Sequence, residues 1–348
     1  MSTPDFEQLL AAKTGTALPD LPGCVLAAVN KQDSSPIQAG ATFWLASCTK
    51  LIGTVAALQC VERSQIHPDD TLGFSLASAK SKITLRQLLT HTSGLGYDFV
   101  YPELMAWRAS RGEEPLSLSC QLVKAYSTPL LLELGEGWVY GGGIDWAGEL
   151  VARLNKTTLE DYMREHIPKP LGMNSTSFHL ELRRDIKTLL AETAQRADDG
   201  ILQSSQKVWL DHVPEDYYLK VMGDLIKDTP TLFSRETIER EMFTPQLPEN
   251  SLALRSLLSA PDLVSSMTGS TGSGVGINHG LGGLYFGADI GNVKKGTLTW
   301  GGLPNLKWFM NGSEGVAALY ATQLMPPGDP ACAELTRAFF DEVWRLNS

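Results

Sequence analysis

The stretch that most limits what this chain can fold into is FWLASCTKLIGTVAALQCVE, residues 43–62. After Lys50 the run Leu51, Ile52, Val55, Ala56, Ala57, Leu58, Cys60 and Val61 is almost unbroken in its apolar character and free of proline, which predicts a helix buried on most of its sides. Such a helix has to lie inside a fold. Ser47 falls in its first turn, and residues three apart on a helix share a face, so Ser47 and Lys50 point the same way with the hydroxyl at the positive end of the helix dipole. A serine hydroxyl becomes a nucleophile when a neighbouring base takes its proton, and a lysine serves as that base only if burial lowers its pKa. On these residues alone two readings stand level: an activated serine, or an N-cap serine followed by a solvated lysine. A second Ser-x-x-Lys, Ser204 to Lys207, sits in a polar stretch with no apolar helix behind it and reads as accidental.

Composition narrows the partners. With 348 residues and 43% apolar content the chain is long enough for one large or two modest domains with a sizeable core. A formal charge of -10, without a basic run, argues against nucleic acid or an anionic membrane as partner. No apolar stretch reaches the roughly 18 residues a bilayer span needs, and MSTPDFEQLLAAK has neither the cationic start nor the apolar core of a signal peptide. Five scattered cysteines, without Cys-x-x-Cys, fit reduced thiols, so the expectation is a soluble, cytoplasmic protein.

Along the chain, Pro4 to Lys13 reads as an amphipathic helix, and Cys24 to Val29 and Ala41 to Leu45 as a strand pair leading into the Ser47 helix. Ile83 to Leu89 is a helix with Thr84 as N-cap. Ile144 to Leu154, Thr158 to Glu165, Asp216 to Ile226 and Arg235 to Met242 are further helices in a middle region with few convincing strands. Ser, Gly and Thr dominate from Leu252 to Gly283, with Ser265 to Gly276 a loop. His279 to Phe286, Gly296 to Gly301, Leu306 to Asn311 and Gly315 to Gln323 read as strands of an antiparallel meander. Ala331 to Leu346 closes as an amphipathic helix on Leu335, Phe339 and Val343. The pattern implies an α+β fold. Residues 1–72 and 250–348 form one domain from both ends of the chain, residues 73–249 form a mainly helical one, and a cleft lies between them.

Several chemistries have no support. There is no Gly-x-Gly-x-x-Gly, Walker pattern or Gly-x-Ser-x-Gly, so neither a nucleotide cofactor nor an α/β-hydrolase elbow is expected. The six histidines never take metal-ligand helical spacing, and no metal or other cofactor is called for. His91, in LTHTSGL after a helix, reads as fixing a turn.

Two later stretches complete a pattern. WVYGGG, 138–143, puts Tyr140 at the mouth of a glycine loop before a helix, and TWGGL, 299–303, puts Gly301 and Gly302 in a late strand where a ligand can approach the backbone. With SCTK at 47–50 and KITLRQLLTHTSGL at 82–95, these blocks stand in the order of the serine β-lactamase-like proteins of the class C and penicillin-binding type, which the chain resembles over nearly its whole length. The resemblance is to the branch containing esterases and the fungal statin side-chain acyltransferases. It implies a β-lactamase/transpeptidase-like fold, an antiparallel sheet flanked by terminal helices. It implies Ser47 as nucleophile, Lys50 as partner base and Tyr140 as the phenol sharing the proton relay, with the first acceptor left open between Lys50 and Tyr140. The N–H groups of Ser47 and Leu303 match the oxyanion donors, and Tyr97 matches a pocket-lining position.

Three features depart from that pattern. Trp300 stands where penicillin-recognising members carry a lysine or histidine, which favours acyl esters or thioesters over β-lactams. Gly142 replaces a common asparagine or serine and removes a polar contact. The chain from Lys207 through WLDHVPED lacks the glycine-rich strand and turn of relatives. The resulting expectation is a serine acyltransferase of secondary metabolism, passing an acyl group from a small-molecule donor, free or on the acyl carrier domain of a polyketide synthase, to a small alcohol acceptor. An esterase and an inactive binding protein of the same fold are the alternatives.

Overall fold

A computed structural model describes residues 6–15, 20–22, 24–30, 45–66, 68, 82–119, 121–205, 218–260 and 276–347. Its centre is a six-stranded antiparallel sheet. β1 (Val25–Asn30) comes from early in the chain, and β4 (Ile277–Gly280), β5 (Gly283–Phe286), β6 (Thr297–Gly302), β7 (Leu306–Asn311) and β8 (Val316–Ala321) come from late in it, in the spatial order β1-β8-β7-β6-β5-β4. β1 pairs along its length with β8, Val25 opposite Ala321 and Asn30 opposite Val316, so the two distant segments close one sheet. β6 and β7 set Trp300 opposite Trp308 and Gly302 opposite Leu306.

Alternate residues of these strands feed two cores. On the back, Phe309, Val316, Ala318 and Tyr320 pack with Leu335, Phe339, Phe340, Val343 and Trp344 of the closing helix (Pro330–Leu346), against which α1 (Phe6–Thr14) also lies. Phe309 meets Phe340 edge-on at 4.8 Å and stacks on Trp344 at 4.9 Å. On the front lies α2 (Thr49–Glu62), in which every residue from Leu51 to Cys60 is buried. A helix surrounded on all sides is what its apolar run requires. Gly53 lets α6 (Gly143–Asn155) come close, since a Cβ there would stand 3.0 Å from Ile144 Cγ2.

Most helices between β1 and β4 follow the expected spans. α3 (Leu85–Leu89) begins with a full capping box: the Gln87 N–H donates to Thr84 Oγ1 at 3.2 Å, and the Thr84 N–H to Gln87 Oε1 at 2.9 Å. α7 (Leu159–His166) is capped by Thr158. α4 (Pro102–Ser110), α5 (Leu122–Tyr126) and the four-residue α8 (Arg184–Lys187) fill the region between and around them, and α9 (Tyr218–Ile226) packs on β1 and β8. α10 (Arg235–Thr237) runs on into a wider π-type turn over Ile238–Met242.

The structure corrects the sequence reading at several points. His279 to Phe286 is a hairpin, β4 and β5, turned at Leu281–Gly282, where Gly282 has φ +112°. All eight strand residues are buried, so no polar alternation marked the turn. The Ser-rich region after Asn250 contains α11 (Leu252–Leu258), capped by Ser251, and the closing helix is α12. A small second sheet joins β2 (Ala194–Arg196) and β3 (Leu202–Ser204) to β9 (Leu324–Met325). Leu45 is not a strand residue but helical backbone at the start of the Ser47 turn, and the rest of the strand expected at 41–45 lies outside the described residues. So do Lys207, the departure at 207–216, and all of the 265–276 loop except Gly276. No described helix is long and apolar enough to cross a membrane.

Candidate active site

Ser47 sits in a short 3-10 turn, Ala46–Cys48, that leads directly into α2. The preceding Ala46 has φ +48°, a left-handed backbone that a non-glycine residue adopts at a cost of roughly 1–3 kcal/mol. That sharp turn is held by the end of β6: a Cβ on Gly302 would fall 2.4 Å from the Leu45 carbonyl oxygen and 3.2 Å from Cys48 Sγ, so only glycine lets strand and turn touch. Leu303 follows directly, in the turn after β6.

Two groups meet the Ser47 hydroxyl. Lys50 Nζ donates to Oγ at 3.4 Å and Tyr140 Oη at 2.5 Å. Tyr140 arrives just before α6 through three glycines that permit backbone contact. A Cβ on Gly141 would lie 1.9 Å from the Leu95 carbonyl oxygen, one on Gly142 2.2 Å from the Tyr126 ring, and one on Gly143 2.4 Å from the Leu88 carbonyl oxygen. The Tyr140 N–H donates to Tyr101 Oη at 2.9 Å, which fixes the backbone of the phenol.

Two influences act in opposite directions on the Lys50 amine. Burial pushes its pKa down, but Tyr140, Tyr97 and Asp145 outweigh burial and hold it above the ordinary lysine value. The amine lies 5.2 Å from the Tyr140 ring centroid and 5.5 Å from that of Tyr97. Tyr97 contacts Tyr140 edge-on at 5.3 Å, and its own hydroxyl is pushed well up by burial, so it stays protonated.

Behind Tyr140 lies an aromatic wall. Trp138 stacks parallel to it at 6.2 Å, Trp300 tilts over it at 5.5 Å and His91 meets it edge-on at 4.9 Å. His279 packs on both His91, at 5.7 Å, and Trp300, at 5.8 Å. His91 does fix a turn, with φ +58° and its carbonyl accepting the Val139 N–H at 2.8 Å, but its ring also belongs to this wall. Burial, then His279 and Lys50, keep His91 well below the ordinary histidine pKa, and burial takes His279 to about 4, so both are neutral. His91 Nδ1, His279 Nε2 and the indole nitrogens of Trp138 and Trp300 have no hydrogen-bond partner among the described residues.

Ser47, Lys50, Tyr140, Tyr97 and Trp300 thus come together, with Gly302 against the turn that carries Ser47 and Gly142 against Tyr126, whereas Ser204 is exposed on β3. Gly301 faces the neighbouring strand, where its Cβ would stand 3.1 Å from Lys307 Nζ. Sequence reasoning missed His279, Trp138, Tyr126 and Asp145. His279 lay inside what read as a single strand, and the other three carried no spacing signal. Among the described residues no cluster of His, Cys, Asp or Glu could hold a metal ion.

A composite antiparallel sheet carrying a buried Ser-x-x-Lys helix on its front, with a tyrosine on the serine oxygen, is the architecture of the serine β-lactamase-like enzymes. The chain belongs to the Beta-lactamase family, whose model matches residues 12–340. It is 33% identical to the acyltransferase calJ of Penicillium decumbens, over 89% of this chain and 82% of that one. It is also 33% identical to monacolin J acid methylbutanoyltransferase of Aspergillus terreus, over 89% of this chain and 83% of the relative. The unliganded structure of simvastatin synthase from Aspergillus terreus superposes with a TM-score of 0.82 at 29% identity, covering 98% of this chain and 97% of that one.

Proposed function

We propose that this protein is a serine acyltransferase of secondary metabolism that carries its acyl group on Ser47. The observation that carries the reading is the convergence of Tyr140 Oη and Lys50 Nζ on one serine oxygen at the head of a buried helix. The two acyltransferases at 33% identity support it.

In this reading Lys50 keeps its proton, in line with a pKa held above the ordinary lysine value, and Tyr140 acts as its phenolate and takes the Ser47 proton. Ser47 Oγ attacks the acyl carbonyl as its proton passes to Tyr140, and the ammonium stabilises the negative charge shared between the two oxygens. The N–H groups of Ser47 and Leu303 receive the oxyanion. Tyr140 returns the proton to the departing alcohol or thiol, then takes one from the acceptor hydroxyl as it attacks the acyl-enzyme. That proton finally goes back to Ser47, which closes the cycle.

The acyl donor we assign is a small ester or thioester, including one on coenzyme A or on the carrier domain of a polyketide synthase, and the acceptor is a hydroxyl on a polyketide-like alcohol. Trp300 supports an apolar donor, because it makes a wall of the cleft where a cation would favour a carboxylate. The cleft falls between a domain built from residues 1–72 and 250–348 and a mainly helical one, 73–249.

Intact mass spectrometry tests the reading. A fluorophosphonate or acyl-thioester adduct forms on the protein and is lost, with activity reduced on the order of 10⁴ to 10⁶, in Ser47→Ala. Release of the acyl group that is independent of added alcohol and yields only free acid makes the protein an esterase. Absence of any adduct makes it a binding protein.

A further inference from the structure

Beside Lys50 and Tyr140 runs a line of side chains that the three-group centre does not account for. It starts at Gly142, where relatives commonly place an asparagine or serine. A Cβ on Gly142 would stand 2.2 Å from Tyr126 Cε1 and 2.3 Å from Cζ, so the Tyr126 ring fills the room that a side chain at 142 would take, and it brings a phenol in exchange.

The phenols lie in a row. Lys50 Nζ stands 5.5 Å from the Tyr97 ring centroid, the Tyr97 ring packs against that of Tyr126, and Tyr126 Oη donates to Asp145 Oδ2 at 3.5 Å. The Tyr97 and Tyr126 rings are 6.2 Å apart and both are buried. Asp145, in the first turn of α6, is exposed. The line therefore leads from the amine beside Ser47 to an exposed carboxyl group at the start of α6.

A separate buried device keeps the two phenols in place. Arg108 donates from Nε to Asp98 Oδ2 at 2.9 Å, next to Tyr97. Its Nη2 donates to the carbonyls of Lys124 and Ala125, next to Tyr126, at 2.8 and 2.9 Å. Asp98 also accepts the N–H groups of Leu116 and Ser117. One guanidinium thus ties the loop bearing Tyr97 to the helix bearing Tyr126.

We propose that Tyr97, Tyr126 and Asp145 form a positioning chain that orders Lys50 against Ser47 and supplies the counter-charge of its ammonium from the surface, with Gly142 as the position that admits it. The proposal rests on the acyl-transfer reading of the same site. Among the described residues Lys50 has no carboxylate in direct contact. The groups around it are Ser47 on its own turn, Tyr140 before α6, Tyr97 and the neutral His91 from the loops after α3, and Tyr126 and Asp145 beyond.

The test is the pH dependence of the rate at which a fluorophosphonate labels Ser47, compared among wild type, Asp145→Asn, Tyr126→Phe and the double variant. Labelling needs the Lys50–Tyr140 pair to have lost one proton, and an anion nearby opposes that loss. Asp145→Asn therefore moves the midpoint of the rise to lower pH, by about half a unit to one unit, and Asp145→Glu restores it. Tyr126→Phe lowers the maximal rate about three- to tenfold, and in its background Asp145→Asn moves the midpoint no further. A midpoint unmoved in Asp145→Asn, or a shift of full size that persists in the Tyr126→Phe background, overturns the chain while leaving acyl transfer standing. A wild-type protein that is never labelled overturns both.

Discussion

The two faces of the central sheet are made by alternate residues of the same strands and have opposite characters. Behind it, Phe309 is packed between Phe340 and Trp344, and the surroundings are apolar rings and aliphatic chains. In front, Trp300 shares its space with two neutral histidines, a second tryptophan and Tyr140, and four ring nitrogens there have no hydrogen-bond partner among the described residues. Stability and chemistry are divided by the strand's period of two.

That division can be broken experimentally. The largest effect falls on chemistry alone: Tyr140→Phe should slow labelling of Ser47 by roughly 10²- to 10⁴-fold, with the thermal midpoint nearly unchanged. An equal loss of stability would show that the phenol holds the front together. Next, Phe340→Ala should cost about 3–5 kcal/mol in urea unfolding, yet label at the ordinary rate at a temperature where it stays folded. A large loss of rate there would mean that the faces are coupled.

The smallest effect concerns Lys307, opposite Gly301 on β7, which has no carboxylate partner among the described residues and whose pKa burial lowers to about 8. The unfolded chain holds that proton up to about 10.4, so the penalty is full below pH 8 and is relieved as pH rises through that window. Lys307→Met should raise stability near pH 7 by roughly 1–3 kcal/mol and flatten the rise between pH 8 and 10. A destabilised variant would mean that the amine has a partner.

What could be read from the sequence follows the same division. α2, α6, α7, β6 to β8 and α12 were legible because each sets apolar residues against polar ones with a clear period, or is apolar throughout. The β4–β5 hairpin was not, since burial on both faces erases the alternation that would have marked its turn. Ser47 and Lys50 announced themselves by local spacing, and Tyr140 by a shared motif. The protonation of Lys50 could not be read, because it depends on Tyr97 and Asp145, which only the folded chain brings near it. Tyr126 carried no signal in the sequence, and its meaning depends on the absent side chain at Gly142.

The pairing of Val25 with Ala321 bears on how the molecule is made. An edge strand emerging early from the ribosome has to wait for nearly the whole polypeptide before its neighbour exists, and the greasy α2 waits with it. Closure of so distant a contact is slow, and the nascent chain meanwhile presents a sticky helix to whatever is nearby. Recombinant yield should therefore respond to chaperone supply and growth temperature more than to any substitution at the catalytic serine.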